Sequence, residues 1–167
     1  MVLGVYENFP QHIHKLARFA TSISNKRLQQ TIIQALYEAN GKVFSMKEVA
    51  VPSISQYMVI FEFGIAENDT FNYLDGEETD KVLGVINKKP LQIMDFFCAV
   101  RYYKKQNEKK IPLRFDYYMI RFAFNEGIME IHVFHEKGSR HITPEEIVNL
   151  ITNRVNESSK RGILKSV

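Results

Sequence analysis

The feature that most constrains the fold is a run of alternating side chains around a short turn, LRFDYYMIRFAFNEGIMEIHVFHEKGSRH, at residues 113–141. Alternation with a period of two predicts two β-strands. Glu126-Gly127 predicts a two-residue turn between them, because glycine readily takes the positive φ that such a turn needs. A three-residue turn would shift the register and mix the two faces. The two-residue register builds one apolar face, with Phe124 opposite Met129, Phe122 opposite Ile131 and Ile120 opposite Val133.

The second face of this hairpin mixes aromatic rings with charged side chains, which is typical neither of a core nor of a solvated surface. Two interpretations stay open. Either helices or a twofold-related copy cover the rings, or the rings form a platform on which unpaired bases stack. The residues of this face are Phe115, Tyr117, Met119 and Arg121 on the first strand, and Glu130, His132, Phe134 and Glu136 on the second.

A basic run, RYYKKQNEKK at residues 101–110, leads directly into the first of these strands. It contains five cations and one acid, Glu108. Cations beside a stacking platform suit phosphate groups, although a basic run at a helix end is commonly a solvated terminus. The two features together predict a nucleic-acid-binding surface. Its candidate residues are Phe115, Tyr117, Met119, Arg121, His132, Phe134, Arg101, Lys104, Lys105 and Arg114.

Helical spacing of apolar residues is the main pattern in the first quarter of the chain. It runs from Ile13 to Ala39 after Pro10 and predicts one long helix, or two helices with Ser24 as the cap of the second. Asn40-Gly41 predicts the end of this region, because glycine and asparagine favour helix C-termini.

Two further helices are expected later in the chain. LQIMDFFCAVRYYKK, at residues 91–105, is apolar on nearly every side and predicts a helix buried by more than one neighbour. TPEEIVNLITNRV predicts a closing helix, since Thr143, Pro144 and Glu146 form a capping-box start.

The remaining segments predict a second hairpin and loops. Residues 42–51 and 55–66 are rich in β-branched and aromatic residues, with a break at Pro52-Ser53. The acidic segment at 67–80 predicts a loop, after which Asp75 caps a short helix that ends near Asn87. Residues 106–112 predict a polar loop.

These elements predict an α+β fold with about four antiparallel strands in two hairpins and helices packed on one face. The chain has 167 residues, enough to bury a core, and we expect a single α+β domain at 1–157 and a loose, basic C-terminal tail at 158–167.

Composition excludes several classes of protein. A net charge of +3 excludes a general polyanion-binding coat. A single cysteine, Cys98, excludes an intramolecular disulfide framework and a multi-cysteine zinc site. No apolar run approaches the roughly 20 residues that span a bilayer. The start, MVLGVYENFPQHIHK, lacks the pattern of a signal peptide, so we expect a cytoplasmic protein without a membrane partner.

The sequence predicts no enzyme, cofactor or metal site. His132 and His135 should point to opposite faces of their strand, because their separation is odd. The carboxylates that a nuclease would need for Mg²⁺ are also divided between the faces, with Asp116 opposite to Glu130 and Glu136. Cys98 lies among apolar residues and is expected to be a core residue.

The run LRFDYYMIRFAF, followed by MEIHVFHEKGSRHITPEEIV, resembles the end of the domain in the ThermoDBP group, the single-stranded DNA-binding proteins of thermophilic archaea. The resemblance in residues covers 113–148. It implies a cleft with basic rims, binding without strong sequence preference, and an oligomer, commonly a homodimer. By this resemblance Phe115, Tyr117, Met119 and Phe134 line the cleft, and Arg114, Arg121, Lys104 and Lys105 lie on its rim.

The expected function is therefore non-enzymatic binding of single-stranded nucleic acid, DNA before RNA, through an aromatic strand face with basic rims. The modest net charge and the acidic segment at 67–80 fit a genome-coating protein poorly. They are compatible with a relative of the ThermoDBP group that has kept the fold and binds another ligand. The alternative is an oligomeric interaction protein whose aromatic sheet face is a protein–protein interface. A metal-dependent nuclease ranks last.

Overall fold

A single antiparallel sheet organises the chain. The computed structural model describes residues 2–49, 57–106 and 109–167, and within them it has eight strands and four helices. The strand order is β2-β3-β5-β6-β7-β1-β8, and β4 also pairs with β3. In chain order the elements are β1 (Lys15–Thr21), α1 (Asn25–Ala39), β2 (Val43–Ser45), α2 (Met46–Val49), β3 (Tyr57–Glu67), β4 (Thr70–Tyr73), α3 (Gly76–Lys88), β5 (Ile93–Gln106), β6 (Lys109–Asn125), β7 (Ile128–Gly138), α4 (Pro144–Ser158) and β8 (Leu164–Ser166).

The expectation of about four strands in two hairpins is wrong, because the described residues place eight strands in one sheet. The chain does combine α-helices with an antiparallel sheet, as predicted. The additional strands β1, β4, β5 and β8 come from segments whose patterns predict a helix, a loop or a tail.

One hydrophobic core lies between the sheet and the helices. Leu28 and Ile32 of α1, Val82 of α3 and Ile147 of α4 are buried against the apolar side chains of the strands. This leaves the opposite face of the sheet without a helix in the part of the chain that the structure describes. Among the described helices, none is long and apolar enough to cross a membrane.

The segment predicted to be a buried helix at 91–105 is the strand β5. Its core-facing side chains are fully buried, and they are Met94, Phe96, Cys98, Val100 and Tyr102. Side chains on the other face, such as Asp95 and Ala99, are buried as well. Because Phe97 and Ala99 are apolar although they lie on the face opposite the helices, the period-two pattern is hidden until the exposed Arg101, and the run resembles a helix that is apolar on nearly every side.

The first part of the region predicted to be helical is also a strand. Residues Lys15–Thr21 form β1, which pairs with β7 on one side and β8 on the other. The second part is confirmed as the helix α1, with the Ser24 side chain accepting from Arg27 N at the start. Gly41, with φ +73, follows the end of α1 as predicted.

The predicted pairing before the acidic segment is confirmed in part, since β2 pairs with β3 through Phe44 and Val59. Pro52-Ser53 lies outside the described residues. The acidic segment is not only a loop, because Asn68 and Asp69 form a tight turn with positive φ that leads into β4. Asp75 caps α3 as predicted, its side chain accepting from Glu78 N.

The hairpin of β6 and β7 has the predicted two-residue turn, with Gly127 at φ +74. The predicted register is confirmed over its first half, where Phe124, Phe122 and Ile120 lie opposite Met129, Ile131 and Val133. A bulge then shifts the ladder, so that Tyr118 lies opposite His135 while Tyr117 lies opposite Lys137. Glu136 is therefore the extra residue, and it does not pair with Tyr117.

The predicted capping box at Thr143 and Glu146 is confirmed at the start of α4. The tail at 158–167, expected to be loose, instead returns to the sheet. Leu164 lies opposite Thr21 of β1, and both Ile163 and Leu164 are buried. The two apolar residues hold this segment on the core, which its basic composition does not predict.

A buried carboxylate joins the far end of the hairpin to the loop before α4. Asp116 is fully buried and accepts from Tyr102 Oη at 2.5 Å and from the backbone nitrogens of Arg140 at 2.5 Å and His141 at 3.1 Å. Its Oδ1 is also 2.7 Å from Nε2 of His135. These partners replace the water that a buried carboxylate loses.

Replacing Asp116 by Ala should lower the free energy of unfolding by about 3–5 kcal/mol, because it leaves several buried donors without an acceptor. Urea unfolding followed by circular dichroism measures this change. Asp80→Ala, which removes an exposed carboxylate on α3, is the matched control and should lie within about 0.5 kcal/mol of the parent protein. Equal stability of the two variants would contradict the structural role of the Asp116 network.

Replacing Leu164 by Ala tests whether the C-terminal segment belongs to the core. Truncation of a buried leucine should cost about 2–5 kcal/mol and lower Tm by several degrees. Lys165→Ala, which changes the exposed neighbour in the same strand, should leave Tm nearly unchanged. Differential scanning calorimetry measures the Tm of both variants. An unchanged Tm for Leu164→Ala would mean that the C-terminal segment is not held on the core.

Candidate functional site

The face of the sheet opposite the helices, here called the open face, carries the aromatic side chains of interest. Strand alternation and the ladder register place on it residues from β4 to β7. No described helix covers it. Its side chains include Phe71 and Tyr73 of β4, Phe97 and Arg101 of β5, Phe115, Tyr117, Met119 and Arg121 of β6, and His132 and Phe134 of β7.

Five rings form a continuous row across the open face, and we call this set the ring row. The ring centroids are 4.9 Å apart for Tyr6 and Phe71, 5.7 Å for Phe71 and Phe97, 5.2 Å for Phe97 and Tyr117, and 4.8 Å for Tyr117 and Phe115. The ring planes are tilted rather than parallel, so the row presents both ring faces and ring edges. Phe115, at its end, is exposed at 37%.

The sequence predicts only two members of this row, Phe115 and Tyr117. Phe97 was missed because its strand was assigned to a buried helix, and Phe71 because its strand was assigned to a loop. The pattern Thr70–Tyr73, in which Phe71 and Tyr73 alternate with polar residues after the Asn68 turn, is the signal that could have identified β4.

Phe134 and Met119 lie opposite each other on the open face, as predicted. Phe134 is already stacked on His14, with centroids 4.8 Å apart and planes 16° apart. One face of the Phe134 ring is therefore covered by the chain itself. His14 Nδ1 in turn accepts from His135 N, and burial lowers the pKa of His14, which suits a ring nitrogen that must accept a hydrogen bond.

Arg121 is held in a structural pair. Its guanidinium donates to Asp95 at 2.7 Å and 2.9 Å, and Asp95 is fully buried. The ring of Phe9 lies 4.4 Å from the guanidinium carbon, and Arg121 also donates to Tyr6 O. Because Tyr6 N donates to Asp95 as well, this pair fastens the N-terminal segment, residues 2–14, across one end of the open face. Arg121 is thus not free for a phosphate.

Two other arginines on the open face are also paired. Arg101 donates to Glu62 at 2.7 Å and Arg18 to Glu130 at 2.6 Å. His132 Nε2 lies 3.2 Å from Glu130, and the hydrogen bonds from Arg18 and His132 lower the pKa of that carboxyl. These pairs cancel most of the positive charge at the centre of the face.

Unpaired cations lie where β5 and β6 extend beyond the core. Lys109, Lys110 and Arg114 are exposed, Lys104 is half-buried, and none of the four makes an ion pair within the described residues. The side chain of Lys105 lies outside the part that the structure describes. We call Lys104, Lys109, Lys110 and Arg114 the basic arm; of these, Lys104 and Arg114 belong to the predicted rim, and Lys109 and Lys110 come from the basic run that leads into β6.

The histidines do not converge. His132 lies on the open face, His135 is paired with Asp116 on the core side, and His141 packs its ring against Tyr102. The described residues contain no group of three His, Cys, Asp or Glu side chains that could hold a metal ion. Cys98 is buried, and burial raises the pKa of its thiol, which keeps it in its unreactive form.

Comparisons of the chain with protein-family models, with curated proteins and with solved structures found no match. The resemblance to the ThermoDBP group stays a prediction.

Proposed function

We propose that the open face binds single-stranded nucleic acid, DNA in the first place, with bases on the ring row and phosphates on the basic arm. The observation that carries the proposal is the ring row itself, five rings on a face that no described helix covers, with successive centroids 4.8 Å to 5.7 Å apart. The row ends at Phe115, which belongs to the same strand as Lys109, Lys110 and Arg114 of the basic arm.

Stacking accounts for the expected preference for unpaired bases. A flat ring accepts any base, and stacking contributes roughly 1–3 kcal/mol per base in proteins that bind single strands. Bases in a duplex are already stacked and paired, so the rings of a sheet face cannot reach between them without opening the duplex. Binding through the ring row should therefore discriminate single strands from duplexes.

Charge contributes the second part of the affinity. The basic arm offers four cations without an ion pair within the described residues, while Arg101, Arg18 and Arg121 of the open face are paired with Glu62, Glu130 and Asp95. Binding should depend on salt, because each phosphate contact releases counterions, but with a modest slope.

A second function, association of two copies through the open face, is favoured by a different observation. Leu16, Tyr73 and Phe115 expose 48%, 47% and 37% of their surfaces on this face, and the arginines between them are paired. An apolar face with internally satisfied charges is typical of a protein–protein interface. Light scattering separates the two functions, since a mass of 19.5 kDa excludes the homodimer and a stable dimer with shielded rings supports it.

Replacing Phe115 and Tyr117 together by Leu keeps apolar side chains but removes two flat rings. Affinity for a labelled oligo-dT of about 20 nucleotides should fall at least about fivefold per ring, because stacking is lost. The dependence of affinity on salt should not change, since no cation is removed. Fluorescence anisotropy at two salt concentrations measures both quantities, with duplex and RNA probes beside the DNA.

The matched control for this experiment is Tyr37→Leu, which removes an exposed ring from helix α1 on the opposite side of the sheet. It should bind like the parent protein. If the Phe115 and Tyr117 double variant is folded, as judged by circular dichroism, and binds as tightly as the control, the ring row does not bind bases.

Replacing Lys109 and Lys110 together by Gln tests the basic arm. The plot of log affinity against log salt should become shallower by about 1.4, because each phosphate contact on a single strand contributes about 0.7 to the slope. Lys88→Gln with Lys89→Gln, two exposed lysines at the C-terminal end of α3, is the control pair and should preserve the slope. A slope that is equally steep in both double variants would remove the basic arm from the interface.

A further inference from the structure

A shallow pocket of about 170 Å³ opens at the edge of the open face, and we call it the edge pocket. It shares the rings of Phe71 and Phe97 with the ring row, so it continues the proposed binding surface. The side chains around it are Phe71 and Tyr73 of β4, Phe97, Ala99 and Arg101 of β5, and Glu62 on β3, with Gly64 of the same strand contributing only backbone.

The shape of the edge pocket suits one planar group. Its volume of about 170 Å³ is below the roughly 300–1,000 Å³ of sites for drug-sized ligands. The rings of Phe71 and Phe97 flank it with centroids 5.7 Å apart and planes 46° apart, while Ala99 and Gly64 are too small to fill it. An aromatic group lying there would contact two rings.

Polar groups of complementary kind converge on the same pocket. Glu62 and Arg101 are held together by a hydrogen bond of 2.7 Å from Arg101 Nε to Glu62 Oε1. This bond leaves the second carboxylate oxygen and the terminal guanidinium nitrogens without a partner among the described residues. Burial and the nearby Glu62 raise the pKa of Tyr73, so its hydroxyl stays protonated and can donate. The pocket thus offers acceptors and donors side by side.

We propose that the edge pocket holds one unstacked guanine of the strand bound to the open face, an inference that rests on the proposed function. Guanine presents two adjacent N–H groups, N1 and N2, to a carboxylate, and two acceptors, O6 and N7, to a guanidinium. Adenine and cytosine each offer a single amino group, and thymine offers one N–H. A carboxylate can accept from guanine while it keeps its bond to Arg101, because its two oxygens have about four lone-pair sites.

The test uses labelled oligo-dT probes of about 20 nucleotides in which one central position is thymine, guanine or hypoxanthine, the base of inosine, which lacks the 2-amino group. The parent protein should bind the guanine probe at least about fivefold more tightly than the all-thymine probe, with the inosine probe between them. Glu62→Gln should abolish this preference. Ala99→Leu, which fills the pocket without changing its charges, should abolish it too.

Glu130→Gln is the matched control, because Glu130 is also an open-face carboxylate paired with an arginine, Arg18, but lies outside the pocket. It should keep the guanine preference. If the parent protein binds all probes equally, the edge pocket does not hold guanine, while the proposed function stands. If the parent protein binds none of the probes, both the proposed function and this inference are overturned.

Discussion

The two-residue turn at Glu126-Gly127 decides on which face of the sheet each residue of β6 and β7 lies. A shift by one residue would exchange every core side chain with an open-face side chain. With the observed turn, Phe122 and Phe124 face the helices, while Phe115 and Tyr117 face outward. Within the hairpin this register depends on the backbone conformation of one glycine, Gly127, which has φ +74, while the β5–β6 pairing brings Phe97 beside Tyr117.

The bulge at Glu136 adjusts this register where the buried carboxylate must be accommodated. It places Gly138 opposite Asp116. A Cβ at Gly138 would collide with the carbonyl oxygen of Phe115 and with Asp116 Oδ1, and φ at this position is +121. Glycine here allows the loop to approach until Arg140 N and His141 N reach the carboxylate. Asp116 thus points into the buried network, while Phe115, the residue before it, points to the open face. Both positions belong to the same local arrangement.

Local signals in the sequence predicted the local structure well. The caps at Ser24, Asp75 and Thr143 and the β6–β7 turn each depend on a few neighbouring residues, and the structure confirms them. The strand β5 was missed because Phe97 and Ala99, on its open face, are apolar like the core-facing residues beside them, which hides the alternation. With β5 assigned to a helix, neither Phe97 nor the partner of Arg121 could be placed.

The residues of the candidate site also divide into those set by neighbouring residues and those set by distant parts of the chain. Phe115 and Tyr117 were predicted because they belong to the hairpin whose register the turn sets. The pair of Asp95 and Arg121 joins two strands, and the sequence contains no signal for the register between β5 and β6. A prediction that counts Arg121 as a free cation therefore overstates the charge of the face, since a long-range partner cannot be identified from the residues next to it.

The distribution of paired and unpaired cations determines how a ligand can be held on the open face. Arg18, Arg101 and Arg121 of this face are each bound to a carboxylate, so their attraction for a polyanion is weak and the rings dominate. Within the described residues, cations without an ion pair lie on the basic arm and at Lys137, which is opposite Tyr117, so they flank one end of the ring row. A strand bound to this face would be attracted at one end by its phosphates and held along the row by its bases. The N-terminal segment, fastened over Arg121, covers the opposite end of the face and sets the limit of the row at Tyr6.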